Sequence, residues 1–137
     1  MALRRTAISF HDALLRHPWA GSIWMRRGVS VARLRHMDAV LRSLREGGFS
    51  KDLTYHAFHI LEAHVLGFTL QQLSFPFDKE ELAELAARFL RDFPADEYPD
   101  LAEHIKQHME PRHDDAGAFE IGLDLILDGL ERLRDTA

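Results

Sequence analysis

An all-α fold of about six helices is what the sequence predicts, and three observations predict it. Apolar residues recur at three- and four-residue spacing almost throughout. No convincing period-2 run or Asn-Gly hairpin signal interrupts them. Gly and Pro fall at the joints between periodic segments instead of inside them. The chain has 137 residues, 46% of them hydrophobic and 28% charged, with only eight Gly and five Pro. This composition excludes a disordered or collagen-like chain and suffices for a single domain, residues 1–137, with its own core and no disulfide or metal staple.

The first helix spans Leu3–His17, with Leu3, Ala7, Phe10, Leu14 and Leu15 to one side, and Pro18 stops it. A short helical piece follows over Trp19–Met25, ended by Gly28. Ser30 caps a second long helix, Val31–Glu46, whose Leu34, Met37, Val40, Leu41 and Leu44 share a face. Gly47-Gly48 supplies a left-handed stop. Ser50 then caps a third long helix reaching about Leu73, apolar on most sides and therefore covered on more than one face. Phe75-Pro76-Phe77 breaks the chain, and Asp78 caps Lys79–Phe93 with Glu80, Glu81 and Glu84 at the end that favours negative charge. Residues 94–117 read as a surface excursion with one short helix over Leu101–Met109. In the last helix, Asp115–Asp135, the residues Phe119, Leu123, Ile126, Leu130 and Leu133 alternate +4 and +3 spacing, the pattern of a helix–helix seam. Gly122 and Gly129 recur near that face and allow close backbone approach, while Leu125 and Leu127 widen it. Such a helix can complete the core or pack against a second copy.

Charge and composition narrow the function. With no cysteine, thiolate metal sites and cysteine nucleophiles are excluded. The net charge of −5 is wrong for a domain that grips nucleic acid alone. Residues 1–45 nevertheless hold nine arginines against Asp12 and Asp38, a balance of +7, leaving −12 for the remainder. That asymmetry fits a basic partner-facing end or two oppositely charged regions sitting together in one fold. No export signal and no bilayer-spanning run is visible, so a cytoplasmic location without membrane association is expected.

Little chemistry is visible. His56 and His59, and His104 and His108, share helix faces, but no third ligand is fixed by spacing and no metal is expected. Ser9, His11 and Asp12 are too close in sequence to face one another as a triad. No phosphate loop, dinucleotide fingerprint or nucleophile elbow is present, so neither enzyme activity nor a cofactor is expected. Val31–Glu46 with the following helix superficially suggests a helix-turn-helix. Its would-be recognition helix lacks the polar face that reads bases.

Three segments, in this order and spacing, carry a family resemblance. They are Leu3-Arg4-x-x-Ala7-x-Ser9-Phe10-x-x-Ala13-Leu14-Leu15-Arg16; Gly48-Phe49-Ser50 with Gly67 further along an apolar helix; and Phe119-x-x-Gly122-Leu123-Asp124-Leu125-Ile126-x-x-Gly129-Leu130-Glu131. Together they resemble the C-terminal ligand-binding and dimerisation domain of the tetracycline-repressor (TetR) family of transcriptional regulators. The resemblance implies a homodimer in which the third long helix and the last helix pair with their copies in a four-helix bundle. Phe119, Gly122, Leu123, Ile126, Gly129, Leu130 and Leu133 are then the expected interface. It also implies a cavity for a small-molecule effector that releases DNA. DNA would be held by an N-terminal module that this sequence does not contain, so the chain reads as a piece of a longer repressor or as a stand-alone sensing domain.

By the same resemblance, Phe10 matches a pocket-lining aromatic and Thr6 replaces a polar Asn of the tetracycline-binding members. Their chelation chemistry does not carry over. Trp24 stands where they have a metal-binding His, Arg27 and Gly28 replace a Thr and an Arg, Val40 replaces a drug-contacting Gln, and Gln71 an acidic residue of the metal shell. The expected pocket is therefore apolar and aromatic: Phe10, Trp24, Met37, Val40, Phe58, Leu61 and Phe68, with Thr6, His64 and Gln71 as polar members. A hydrophobic or aromatic effector suits it. The alternative is a homodimeric helical interaction protein whose core closes without a ligand-sized cavity.

Overall fold

A computed structural model describes residues 2–26, 30–75, 77–110 and 115–136. Among them are seven helices and no strand: α1 Ala2–Arg16, α2 Pro18–Trp24, α3 Val31–Glu46, α4 Lys51–Ser74, α5 Lys79–Arg91, α6 Pro99–Gln107 and α7 Asp115–Thr136. The expected count rises by one because both short pieces are separate helices, each with proline in its first turn, where the missing N–H costs nothing. Gly28, read as the end of the second piece, and Pro76 lie outside the described residues.

The caps are where the sequence places them. Ser30 Oγ accepts from Arg33 N at 3.2 Å and Ser50 Oγ from Leu53 N at 3.2 Å. At α5, Asp78 Oδ1 accepts from Glu81 N while Glu81 Oε2 accepts from Asp78 N, both at 2.9 Å, a reciprocal capping box. Gly48, at φ 86°, closes α3: its N–H donates to Arg45 O, and Phe49 N–H reaches back to Leu44 O. Phe49 is thereby turned into the core.

The chain divides into two compact units, residues 75–118 and the remainder. In the larger unit, α4 is buried along Ala57, Phe58, Leu61, Val65 and Thr69, against Ala7 and Leu14 of α1 and Val40 and Leu44 of α3. Phe119, Leu123, Leu127 and Leu130 of α7 complete this core. In the smaller unit, the segment read as a loose excursion holds α6, and α5 packs on it, with Ala86 and Ala102 buried. Phe93 there lies between Phe89 and Tyr98, at centroid distances of 5.2 and 6.1 Å.

Phe119 is clamped between two histidines. The ring of His11 stacks on it at 3.8 Å and that of His64 at 4.9 Å. His11 Nε2 donates to Gln72 Oε1 at 2.6 Å, and His64 Nε2 donates to Phe119 O at 3.0 Å. Both histidines therefore act within the core, each presenting its Nε2–H to an oxygen.

The basic N-terminal stretch and the acidic remainder meet within one fold. Arg4 Nε donates to Asp124 Oδ1 at 2.7 Å and its Nη2 to Glu120 Oε2 at 2.7 Å, joining α1 to α7. Hydrogen bonding from Arg4 holds the Asp124 carboxyl below its ordinary 3.8. A depressed folded value means the contribution is present above the unfolded pKa and is lost as pH falls through the folded one. Asp124→Asn should accordingly make the melting temperature fall less steeply with acidification below about pH 4. Parallel wild-type and variant profiles across that range would contradict the linkage.

Candidate functional site

Thr6, Phe10, Val40 and Leu61 come together in a small cavity between α1, α3 and α4, as four of the ten residues expected to bind an effector. Its other walls are Leu3, Ala7, His36, Glu62 and Val65. A helical rule could have found His36 and Val65, each four residues from a predicted lining position and so on the same face. Glu62 stands in the same relation to Phe58, but a lone acid in a largely apolar run reads first as a solvent-facing residue.

The cavity holds about 20 Å³, room for roughly one water molecule. Drug-sized ligands occupy about 300–1,000 Å³. Outside it, a depression of about 520 Å³, open to solvent, is lined by Ala2, Arg5, Thr6, Ser9, Phe10 and His36. Thr6, Phe10 and His36 thus border both spaces.

An aromatic cluster adjoins both spaces through Phe10 and His36. Phe10 lies 4.7 Å from the Trp24 ring and 4.5 Å from the His36 ring, and Trp24 meets His36 edge-on at 5.3 Å. Arg33 holds Trp24 from behind, donating Nη1–H to Trp24 O at 2.7 Å with its guanidinium 5.8 Å from the indole. Among the described residues, Trp24 Nε1, Arg33 Nε and Glu62 Oε1 are buried without a hydrogen-bond partner. Unpaired buried polar groups are costly and uncommon in folded proteins, so three around one aromatic cluster mark it out.

The remaining predicted pocket residues lie elsewhere. Phe58 is buried in the core and Met37 packs against it, while His64 and Phe68 surround Phe119. Gln71 is exposed; its neighbour Gln72 is the glutamine that turns inward, toward His11. Trp19, weighed as core filler or pocket wall, is neither, being 64% exposed beside His17. A separate groove of about 320 Å³ runs past Phe49, Leu127 and Leu130, where Arg134 Nη1 donates to Gly47 O at 3.2 Å; no predicted effector residue lines it.

The expected interface residues are placed just as specifically. Phe119, Leu123 and Leu130 are buried within the single chain, and Ile126 packs against the same core. A Cβ on Gly122 would stand 2.7 Å from His64 Cε1, so this glycine admits α4 of its own chain. A Cβ on Gly129 would meet only the flexible end of Arg132, at 3.9 Å, and Leu133 is exposed. The apolar residues of α7 that face solvent are Ile121, Leu125 and Leu133, and those of α4 include Ile60 and Leu70, with Ala63 and Gly67 exposed between them.

Among the described residues no group of three or more His, Asp or Glu is arranged to hold a metal ion, and no helix is long and apolar enough to cross a membrane.

The larger unit is thus an all-helical core with a depression beside Phe10 and His36 and exposed apolar residues on α4 and α7. Residues 1–134 match the family described as tetracyclin repressor-like, C-terminal domain, and the chain belongs to that family. The match runs across both compact units. Regulators of this family act as dimers and reach DNA through an N-terminal domain. The fold is shared with the solved structure of a transcriptional regulator from Streptomyces coelicolor, described as a TetR, at a TM-score of 0.78 and 23% identity over 97% of this chain. This chain spans 65% of that regulator's length. No curated protein matches it in sequence.

Proposed function

We propose that residues 1–137 form the effector-sensing and dimerisation domain of a cytoplasmic TetR-type repressor. A small hydrophobic or aromatic molecule binds between α1, α3 and α4, and its binding releases DNA held by modules outside these residues. The observation carrying this reading is the position of Phe10 and His36, which border both the open depression and the inner cavity. Rotation of these two rings joins the spaces into one of ligand size. Ligand binding then shifts the helices that carry the pocket, and the spacing of the two DNA-binding modules with them. No catalytic residue or cofactor takes part.

Two copies associate through the outward faces of α4 and α7 in a four-helix bundle. The contacts come from Ile60, Leu70, Ile121, Leu125 and Leu133, and the exposed Gly67 allows the backbones to approach. The resemblance to the family points to these two helices, and their exposure selects the face.

A second reading, a homodimeric helical interaction protein without an effector, is favoured by one observation: the cavity between α1, α3 and α4 is only about 20 Å³. A thermal-shift screen with hydrophobic and aromatic metabolites and drugs separates the two. Under the sensor reading, a compound at a hundredfold excess over its Kd stabilises the fold by about 2.7 kcal/mol and raises the melting temperature. Silence across a broad library, with the dimer intact, would leave the interaction protein as the better account.

A further inference from the structure

We propose that Glu62 makes this pocket selective for lipophilic organic cations, such as amines or quaternary ammonium compounds carried on an aromatic body. The inference rests on the effector reading and names the ligand class that the same site takes. Glu62 sits on α4 between the buried Leu61 and Val65 and lines the inner cavity. Its side chain is only 15% exposed, and its Oε1 is shielded from solvent without a hydrogen bond. An oxygen so placed has lost its water without gaining a donor among the described residues, and a cation arriving beside it restores what burial removed.

Two neighbouring arginines are engaged elsewhere. Arg4 is held by Glu120 and Asp124, and Arg33 lies over Trp24 and binds its carbonyl. His36 Nε2 approaches Glu62 Oε1 to 3.4 Å but makes no hydrogen bond with it. Arg5 lines the outer depression and is exposed, so water and salt screen its repulsion of an entering cation. Trp24 Nε1 and Arg33 Nε are donors without acceptors, but neither residue lines the cavity.

The walls suit the same ligand. Aromatic faces attract cations through their quadrupole, and Phe10, with Trp24 and His36 packed around it, stands at the entrance. Val40, Leu61 and Val65 offer an apolar floor for the hydrophobic body. The site therefore joins one buried negative charge to an apolar lining and an aromatic gate. Neutral and anionic aromatics of the same size gain only from the last two.

Isothermal titration with an isosteric pair tests this directly: tetraphenylphosphonium and tetraphenylborate, equal in shape and opposite in charge, with triphenylphosphine oxide as the neutral probe. The wild-type chain should prefer the phosphonium. Glu62→Gln should weaken phosphonium binding by about tenfold or more while leaving the neutral probe unchanged. Glu62→Asp, which keeps the charge, should retain the preference. Should tetraphenylborate or the oxide bind as tightly as the phosphonium, or should Glu62→Gln leave phosphonium binding intact, the cation selectivity is overturned and the effector reading stands. Binding of none of the three probes would count against both.

Discussion

Leu123→Ala is expected to destabilise the domain by about 2–5 kcal/mol, the range for truncating a fully buried leucine. Leu123 is 0% exposed in the core built from α1, α3, α4 and α7. Its removal leaves a cavity beside Phe119, whose ring is already fixed by His11 and His64 and has little freedom to collapse into the space. Total stabilities of single domains are about 5–15 kcal/mol, so this one change consumes a large part of the whole. Denaturant unfolding of the variant should show a lower midpoint with an unchanged slope. A loss below about 1 kcal/mol would show that Leu123 is not a core residue of the single chain.

Two residues further along the same helix, Leu125→Arg is expected to do the opposite. Leu125 is 67% exposed, so an arginine there meets water in the monomer and should cost the fold within about 0.5 kcal/mol. In the proposed dimer it places a charge in the centre of an apolar helix–helix interface, without a partner. Size-exclusion chromatography with light scattering should therefore report a folded monomer, and Ile121→Arg should behave alike because Ile121 is 64% exposed on the same face. A dimer that survives both changes would place the interface elsewhere. The pair Leu123 and Leu125 thus separates folding from association with two substitutions on one helix.

The sequence reading and the proposed interface use different sides of α7. Phe119, Leu123, Ile126, Leu130 and Leu133 have ideal seam spacing, and four of them do form a seam, against their own chain. Ile121 and Leu125 are equally apolar and lie on another face. Periodicity reports that a helix has apolar faces; it carries no information on which neighbour covers each one. The glycines behave alike in sequence and differently in space, since a Cβ on Gly122 would clash with His64 while one on Gly129 would make only an ordinary contact with Arg132.

The pocket divides along the same line. Thr6, Phe10, Val40 and Leu61 could be chosen from the resemblance because they lie on the first three long helices at positions facing a common interior. Glu62 lies four residues from the predicted Phe58, but a single acid in an apolar helix reads as a solvent-facing residue. Only the approach of α1 and α3 to α4 encloses it. Phe68 and His64 were drawn away from the pocket by Phe119, a residue half the chain distant.

Helix number, limits and caps follow from local rules, because a cap or a glycine stop acts within a turn of its own position. Ser30, Gly48, Ser50 and Asp78 each do in the fold what the residues around them require. Burial and partnership obey no such locality. Whether α7 turns Leu123 or Leu125 inward depends on His11, His64 and Arg4 meeting it from other helices, and these contacts exist only after the chain has closed.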